Sequence, residues 1–182
     1  TDQDNAYRVN AIGTQNVALA AESLGCPLLY ISTDYIFDGT KPEPYDEWDR
    51  ANPQTIYGKS KYAGEMYVRE ICQWAYIVRI SWLCGKGGAN FVDTILKLAR
   101  ERDELKVVND QHGSPTFVND LVPELIRMSE SGAFGTYHVT NKGHTTWYEF
   151  AKKIVEQSGS KARVLPCSSD EHPRPAPRPK NS

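Results

Sequence analysis

Pro27-Leu28-Leu29-Tyr30-Ile31-Ser32 is a short, nearly all-apolar run that gives way to Thr33-Asp34-Tyr35. A strand with apolar residues on both sides is buried on both faces, as in a parallel sheet between helices. Its carboxyl end carries Ser32, Thr33 and Asp34, and open α/β sheets bind ligands outside that end of their strands. The plainer reading is turn chemistry, since Ser, Thr and Asp also end strands by bonding local backbone.

Helical patterns flank the run. Upstream, residues 4–24 read as a helix with Val9, Ile12, Val17, Ala20, Ala21 and Leu24 on one apolar stripe and Gly25 as C-cap. Asn10 lies off that stripe, which by itself suggests a surface amide. Downstream comes a long polar loop, 36–54, with Phe37, Tyr45 and Trp48 among its turn residues. Loops of that length are uncommon unless functional or disordered, and the aromatics argue for a loop that covers a site. A helix then runs from Thr55, its N-cap, to about Cys72, and Ala75 to Ile80 is the next strand, ending in Ser81-Trp82. Trp82 reads as a core residue or as the wall of a pocket at the strand's end.

The pattern continues. Asn90 caps a helix to Arg102, Leu105 to Val108 is a strand, and a polar loop follows to Thr116. Asp120 opens a short helix with Pro123 in its first turn, Gly135 to Thr140 is a strand, and Thr146 to Gln157 is a helix with Trp147 and Phe150 inward. Gly85-Lys86-Gly87-Gly88 lacks phosphate-loop spacing and reads as a turn. From Pro166 the tail, with Arg174 and Arg178, is expected to be extended. Helix and strand thus alternate as in right-handed βαβ units, which predicts an α/β fold on a Rossmann-like parallel sheet.

Chemistry concentrates in Tyr57-Gly58-Lys59-Ser60-Lys61. A helix puts Tyr57 and Lys61 on one face, and an ammonium beside a phenol lowers its pKa from about 10 towards neutrality. Such a phenol can hand a proton to a ketone. The spacing alone is weak, since Tyr148 and Lys152 repeat it, most plainly as a solvated helix face. The first pair stands out because Thr33 ends the strand before it and Trp82 the strand after it, so one crevice would hold all four.

Composition excludes other classes. A net charge of −2 without a basic stripe does not suggest nucleic-acid binding. No apolar run approaches the ~18 residues of a membrane span, and no signal peptide is evident. The four cysteines show no Cys-x-x-Cys pair, which fits free thiols in a cytoplasmic protein. His112, His138, His144 and His172 lack metal-site spacing, and no Gly-x-Ser-x-Gly hydrolase elbow is present. The opening at Thr1 and the stop at Ser182 read as the ends of a fragment.

Seven stretches carry a resemblance: Tyr7-Arg8-Val9-Asn10-Ala11, Ser32 to Gly39, Tyr57 to Glu65, Arg79-Ile80-Ser81-Trp82, Asn90-Phe91, Asp110 to Thr116, and Arg178 to Ser182. Together the chain resembles the extended short-chain dehydrogenase/reductases, and within them it looks most like the dTDP-4-dehydrorhamnose reductase family. The resemblance implies that Tyr57 is the proton donor to the sugar 4-keto oxygen and that Lys61 binds the nicotinamide ribose and depresses the Tyr57 pKa. It implies that Thr33 bonds at the reacting oxygen, that Asp34 and Trp82 contact the dTDP-sugar, and that Asn10 supports a proton relay. NADPH or NADH supplies hydride, the product is dTDP-L-rhamnose for cell-surface polysaccharide, and a homodimer is allowed. By the same resemblance, residues 1–84 are the second half of an NAD(P)-binding Rossmann-like domain. Residues 85–182 are mostly a substrate-binding lobe, interleaved with the sheet and truncated at the C-terminus. The family's Gly-rich pyrophosphate turn is not in this sequence and is expected upstream, so this chain alone is expected to bind cofactor poorly and to be inactive. Two rival readings share the likeness. One is a non-catalytic regulatory subunit similar to the methionine adenosyltransferase beta subunit. The other is another nucleotide-sugar reductase or epimerase.

Overall fold

The structure, a computed structural model, describes residues 2–171, 176 and 178–182. In chain order the principal elements are α1 (Gln3–Tyr7), α2 (Thr14–Leu24), β1 (Leu28–Thr33), α3 (Ile56–Ile71), β2 (Ala75–Ile80), α4 (Phe91–Glu101), β3 (Glu104–Val108), α5 (Val118–Ser131), β4 (Gly135–His138), α6 (Trp147–Ser158) and β5 (Arg163–Cys167). β1, β2 and β4 form a parallel sheet in that order, with Leu28 opposite Ala75 and Thr33 opposite Ile80. β3 does not join it. It pairs in parallel with β5, making a second sheet that the sequence pattern did not separate. β5 was missed because Pro166 interrupts it; an edge strand tolerates a residue with no N–H to give.

The two parts have different cores. Around β3 and β5, Ile95 and Ala99 of α4 meet Leu105 and Val107 and the Ala151, Ile154 and Val155 face of α6. On the main sheet, Tyr76, Val78 and Ile80 pack with Leu121 of α5, while Tyr30, Val68 and Ile77 fill the other side.

Helix 4–24 forms, with a π-helical segment, Arg8–Gly13, between α1 and α2. Its expected buried stripe does not. Val9, Ile12, Val17 and Leu24 are exposed, and the buried positions are Ala11, Ala18 and Ala21. Small residues let this helix lie close on its neighbour, so close approach decides its inward face and the hydrophobic period does not. α5 also departs from expectation. It starts at Val118 with no side-chain cap, so Pro123 sits inside it, beyond the first turn. The expected Arg174 and the histidine at 172 lie outside the described residues.

Candidate active site

β1 ends in a built corner. Thr33 is 5% exposed and caps a turn of 3-10 helix, Asp34–Ile36. Its Oγ1 accepts from the Tyr35 N–H at 3.3 Å and donates to Asp34 Oδ1 at 2.9 Å. α3 begins against this corner, with the Thr55 hydroxyl accepting from the Gly58 N–H at 3.0 Å. A Cβ on Gly58 would stand 2.1 Å from the Tyr35 carbonyl oxygen, so only glycine lets the helix start here. Tyr57 is thereby seated beside Thr33, its ring edge-on to Tyr35 with centroids 5.7 Å apart. One turn on, Lys61 Nζ donates to the Ile31 carbonyl at 2.6 Å and lies 4.2 Å from the Tyr30 ring centroid. The Tyr30 hydroxyl returns the tie, donating to the Lys61 carbonyl at 3.1 Å.

Thr33, Tyr57 and Lys61 therefore meet at the carboxyl end of β1. Asn10 stands one layer behind them. It lies in the π-helical segment, and its Nδ2 donates to Ser60 Oγ at 3.0 Å, while that hydroxyl donates to the Tyr57 carbonyl at 2.9 Å. The amide is part-buried and braces α3, so it is not the free surface group its position off the stripe suggested.

The electrostatics correct one expectation. Burial raises the Tyr57 phenol above its usual range, the Thr33 hydroxyl pulls it back, and the Asp34 charge pushes it further up. Burial lowers the Lys61 ammonium, with Glu65 opposing. The expected depression of Tyr57 by Lys61 does not appear, because the ammonium is turned onto the Ile31 carbonyl and the Tyr30 ring.

Beyond the corner opens a cleft of about 770 Å³, lined among others by Asp34, Tyr35, Trp82, Gln111, Trp147 and Arg178. Asp34 has a raised pKa, from burial first, with Ser182 and Thr33 pulling it down. Its Oδ2 is buried and makes no hydrogen bond among the described residues. Trp82 adopts φ 46°, a left-handed conformation that a bulky residue adopts only under constraint. It stacks on Trp147 with centroids 3.5 Å apart and planes 8° from parallel, and a Cβ on Gly113 would come within 2.6 Å of its ring. Trp82 is thus a fixed wall of the cleft. Trp147, expected inward, packs against the α4–α6 core and also shares that wall.

Behind the corner lies a polar network that spacing did not point to. Glu65 is fully buried. It accepts from Arg79 Nη2 at 2.8 Å, from Arg79 Nε at 3.1 Å and from the Ser32 hydroxyl at 2.5 Å. Arg79 Nη1 lies 3.4 Å from His138 Nε2, and the His138 N–H donates to Glu47 Oε1 at 2.8 Å. The long loop is held through Glu47, and by Asp38, which accepts from Tyr45 and Asn52 at 2.9 and 2.8 Å. A second cavity of about 240 Å³ lies beneath that loop, between Phe37, Tyr45, His138 and Ser182. The available signal was a Glu on the buried face of the helix that also carries Tyr57 and Lys61.

A parallel sheet with a Tyr/Lys pair at a strand's carboxyl end, beside a ligand-sized cleft, defines a Rossmann-like protein of the short-chain dehydrogenase/reductase type. The chain belongs to the RmlD substrate binding domain family, which it matches over residues 1–182. It is 46% identical over 176 residues to the spore coat polysaccharide biosynthesis protein SpsK of Bacillus subtilis, covering 97% of this chain and 62% of that protein. It is 40% identical to a dTDP-4-dehydrorhamnose reductase of Sinorhizobium fredii, covering 97% of this chain and 64% of the relative. The crystal structure of dTDP-4-dehydrorhamnose reductase from Bacillus anthracis in complex with NADP superposes with a TM-score of 0.97 at 50% identity, over 99% of this chain and 64% of that one. The chain therefore spans somewhat over three-fifths of the length of these relatives.

Proposed function

We propose that this chain is the substrate-binding and proton-donating part of an NAD(P)H-dependent reductase. The reaction converts dTDP-4-dehydro-6-deoxy-L-mannose to dTDP-L-rhamnose, for cell-surface polysaccharide. The observation that carries this reading is the convergence of Thr33, Tyr57 and Lys61 where β1 ends, beside a cleft walled by Asp34 and Trp82.

The residues suit a nicotinamide ribose. Tyr57 is 46% exposed, and Lys61 Nζ donates among the described residues to the Ile31 carbonyl alone, which leaves ammonium donors for ribose hydroxyls. The cofactor supplies the hydride. Tyr57 supplies the proton to the 4-keto oxygen, with Thr33 hydrogen-bonding at the same oxygen. A phenol held above its usual pKa stays protonated at neutral pH, so the donor is loaded before the substrate arrives. Lys61 holds the ribose hydroxyls beside Tyr57 with the donors that the Ile31 carbonyl leaves free. Asp34 and Trp82 hold the sugar, and Asn10, through Ser60, keeps the first turn of α3 in place.

The test uses the whole protein that carries this chain, supplied with dTDP-4-dehydro-6-deoxy-L-mannose and either NADPH or NADH. Oxidation coupled to dTDP-L-rhamnose is expected, and Tyr57→Phe should cut turnover by about 10²-fold or more while leaving sugar-nucleotide binding nearly intact. A folded protein that oxidises neither cofactor would shift the assignment to a binding subunit. Wild-type turnover in Tyr57→Phe would remove Tyr57 from the donor role.

A further inference from the structure

Gln111 is 8% exposed and lines the same cleft as Asp34. Its Nε2 donates to Ser169 Oγ at 2.8 Å. That hydroxyl spends its one proton on Asp110 Oδ1 at 2.6 Å, and the Ser169 N–H donates to Asp110 Oδ2 at 2.9 Å. Ser169 can therefore only accept from Gln111, which fixes the amide with nitrogen towards Ser169 and oxygen the other way. Gln111 Oε1 has no partner among the described residues, and a buried acceptor without one is costly unless a ligand supplies the donor.

The chain after Gln111 is tied towards the corner that carries Asp34. His112, the next residue, accepts from the Ser182 N–H at 3.1 Å and donates to the Lys180 carbonyl at 2.8 Å. Ser182 in turn sits against the Asp34 carboxylate. Asp34 and Gln111 both line this cleft, and of their side-chain oxygens Asp34 Oδ2 and Gln111 Oε1 make no hydrogen bond among the described residues, although Ser182 lies against the Asp34 carboxyl. A ligand that meets both walls of the cleft must present several donors. A hexose ring with free hydroxyls does so, whereas a thymine base offers a single imide N–H. We propose that Gln111 is a specificity-determining residue whose Oε1 accepts a hydrogen bond from a hydroxyl of the sugar ring, with Asp110 and Ser169 as the clamp that aims it. This inference rests on the nucleotide-sugar reading above and adds a residue to it.

The test is calorimetric titration of the whole protein with dTDP-L-rhamnose and, separately, with dTDP. Gln111→Leu should weaken dTDP-L-rhamnose about tenfold and leave dTDP unchanged. Equal loss for both ligands would mean that Gln111 reads the nucleotide or merely holds the fold, and would overturn the proposal. Unchanged affinity for both would overturn it as well. If Gln111→Leu does not fold, Ser169→Ala decides: a loss of about two- to threefold confined to dTDP-L-rhamnose supports the clamp, and no change refutes it. A wild-type protein that binds neither ligand would instead sink the nucleotide-sugar reading, and this inference with it.

Discussion

α2 and α4 are both 11 residues long, and they bury opposite things. α4 turns Ile95 and Ala99 into an aliphatic core shared with β3 and α6. α2 buries only Ala18 and Ala21, while Val17, Leu19 and Leu24 stand 55, 53 and 77% exposed. The difference extends to the parts they belong to. The β3–β5 lobe is held by large apolar side chains meeting one another. The part that carries Tyr57 and Lys61 adds, to its own apolar clusters, small residues in close contact and buried polar groups. Gly64 lets α3 approach β1 and the π-helical segment, since a Cβ there would lie 2.3 Å from the Tyr30 hydroxyl and 2.5 Å from the Asn10 carbonyl oxygen. Glu65, Arg79 and Ser32 then tie α3 to β1 and β2. Close backbone approach fixes where Tyr57 and Lys61 stand, which loose hydrophobic packing would not do.

The largest effect should follow from breaking that polar tie. Glu65→Ala leaves the Arg79 guanidinium buried without its carboxylate, and losing one partner of a buried pair costs about 3–5 kcal/mol. Denaturant unfolding of wild type and variant measures it. Replacing both partners, Glu65→Leu with Arg79→Met, should recover much of the loss, because no charge is then stranded. A cost below about 1 kcal/mol for Glu65→Ala would mean that the part around Tyr57 and Lys61 is held by its apolar contacts instead.

The second effect is a pH dependence that the lobe core, wholly aliphatic in its buried residues, cannot show. Burial pushes the Tyr30 phenol from 10.0 up to about 12, with the Glu65 and Tyr57 charges adding to the rise and Thr14 opposing it. The fold favours the neutral phenol. Its contribution is therefore complete below the unfolded pKa near 10 and is lost as pH climbs through the folded value. Two pH units at about 1.4 kcal/mol each set an upper limit of about 3 kcal/mol, which solvent screening of the phenol reduces. Stability measured across that alkaline window should fall in wild type and stay flatter in Tyr30→Phe. Parallel curves would show that the alkaline loss comes from elsewhere.

Legibility in the sequence follows the same division. β1, β2 and α3 were readable because an apolar run, a capping Thr55 and helical spacing are local signals, and they carried Thr33, Tyr57, Lys61 and Trp82 to the end of the sheet. α4 and α6 were readable from their apolar faces and their Asn90 and Thr146 caps. What escaped was set by partners far along the chain. The Glu65–Arg79 pair joins positions 14 apart across two elements, and Gln111 takes its aim from Ser169, 58 residues on. Spacing cannot show that Lys61 turns to a strand carbonyl. The α2 stripe misled because periodicity reports an apolar face without saying whether anything in this chain covers it.

The smallest effects test that last point directly. Ile95 is 3% exposed in a packed aliphatic cluster, so Ile95→Val, which removes one methyl group, should cost about 1 kcal/mol. Val17 is 55% exposed, so Val17→Ser should change stability by less than about 0.5 kcal/mol even though it removes more apolar surface. The pair is measured by thermal or denaturant unfolding of this chain under one set of conditions. If Val17→Ser costs as much as Ile95→Val, the α2 face is covered in solution, and its apolar residues belong to a contact that α2 does not make with the rest of this chain. If the predicted order holds, the two helices differ as their burial says: one is held by its large side chains, the other by the alanines that let it lie close.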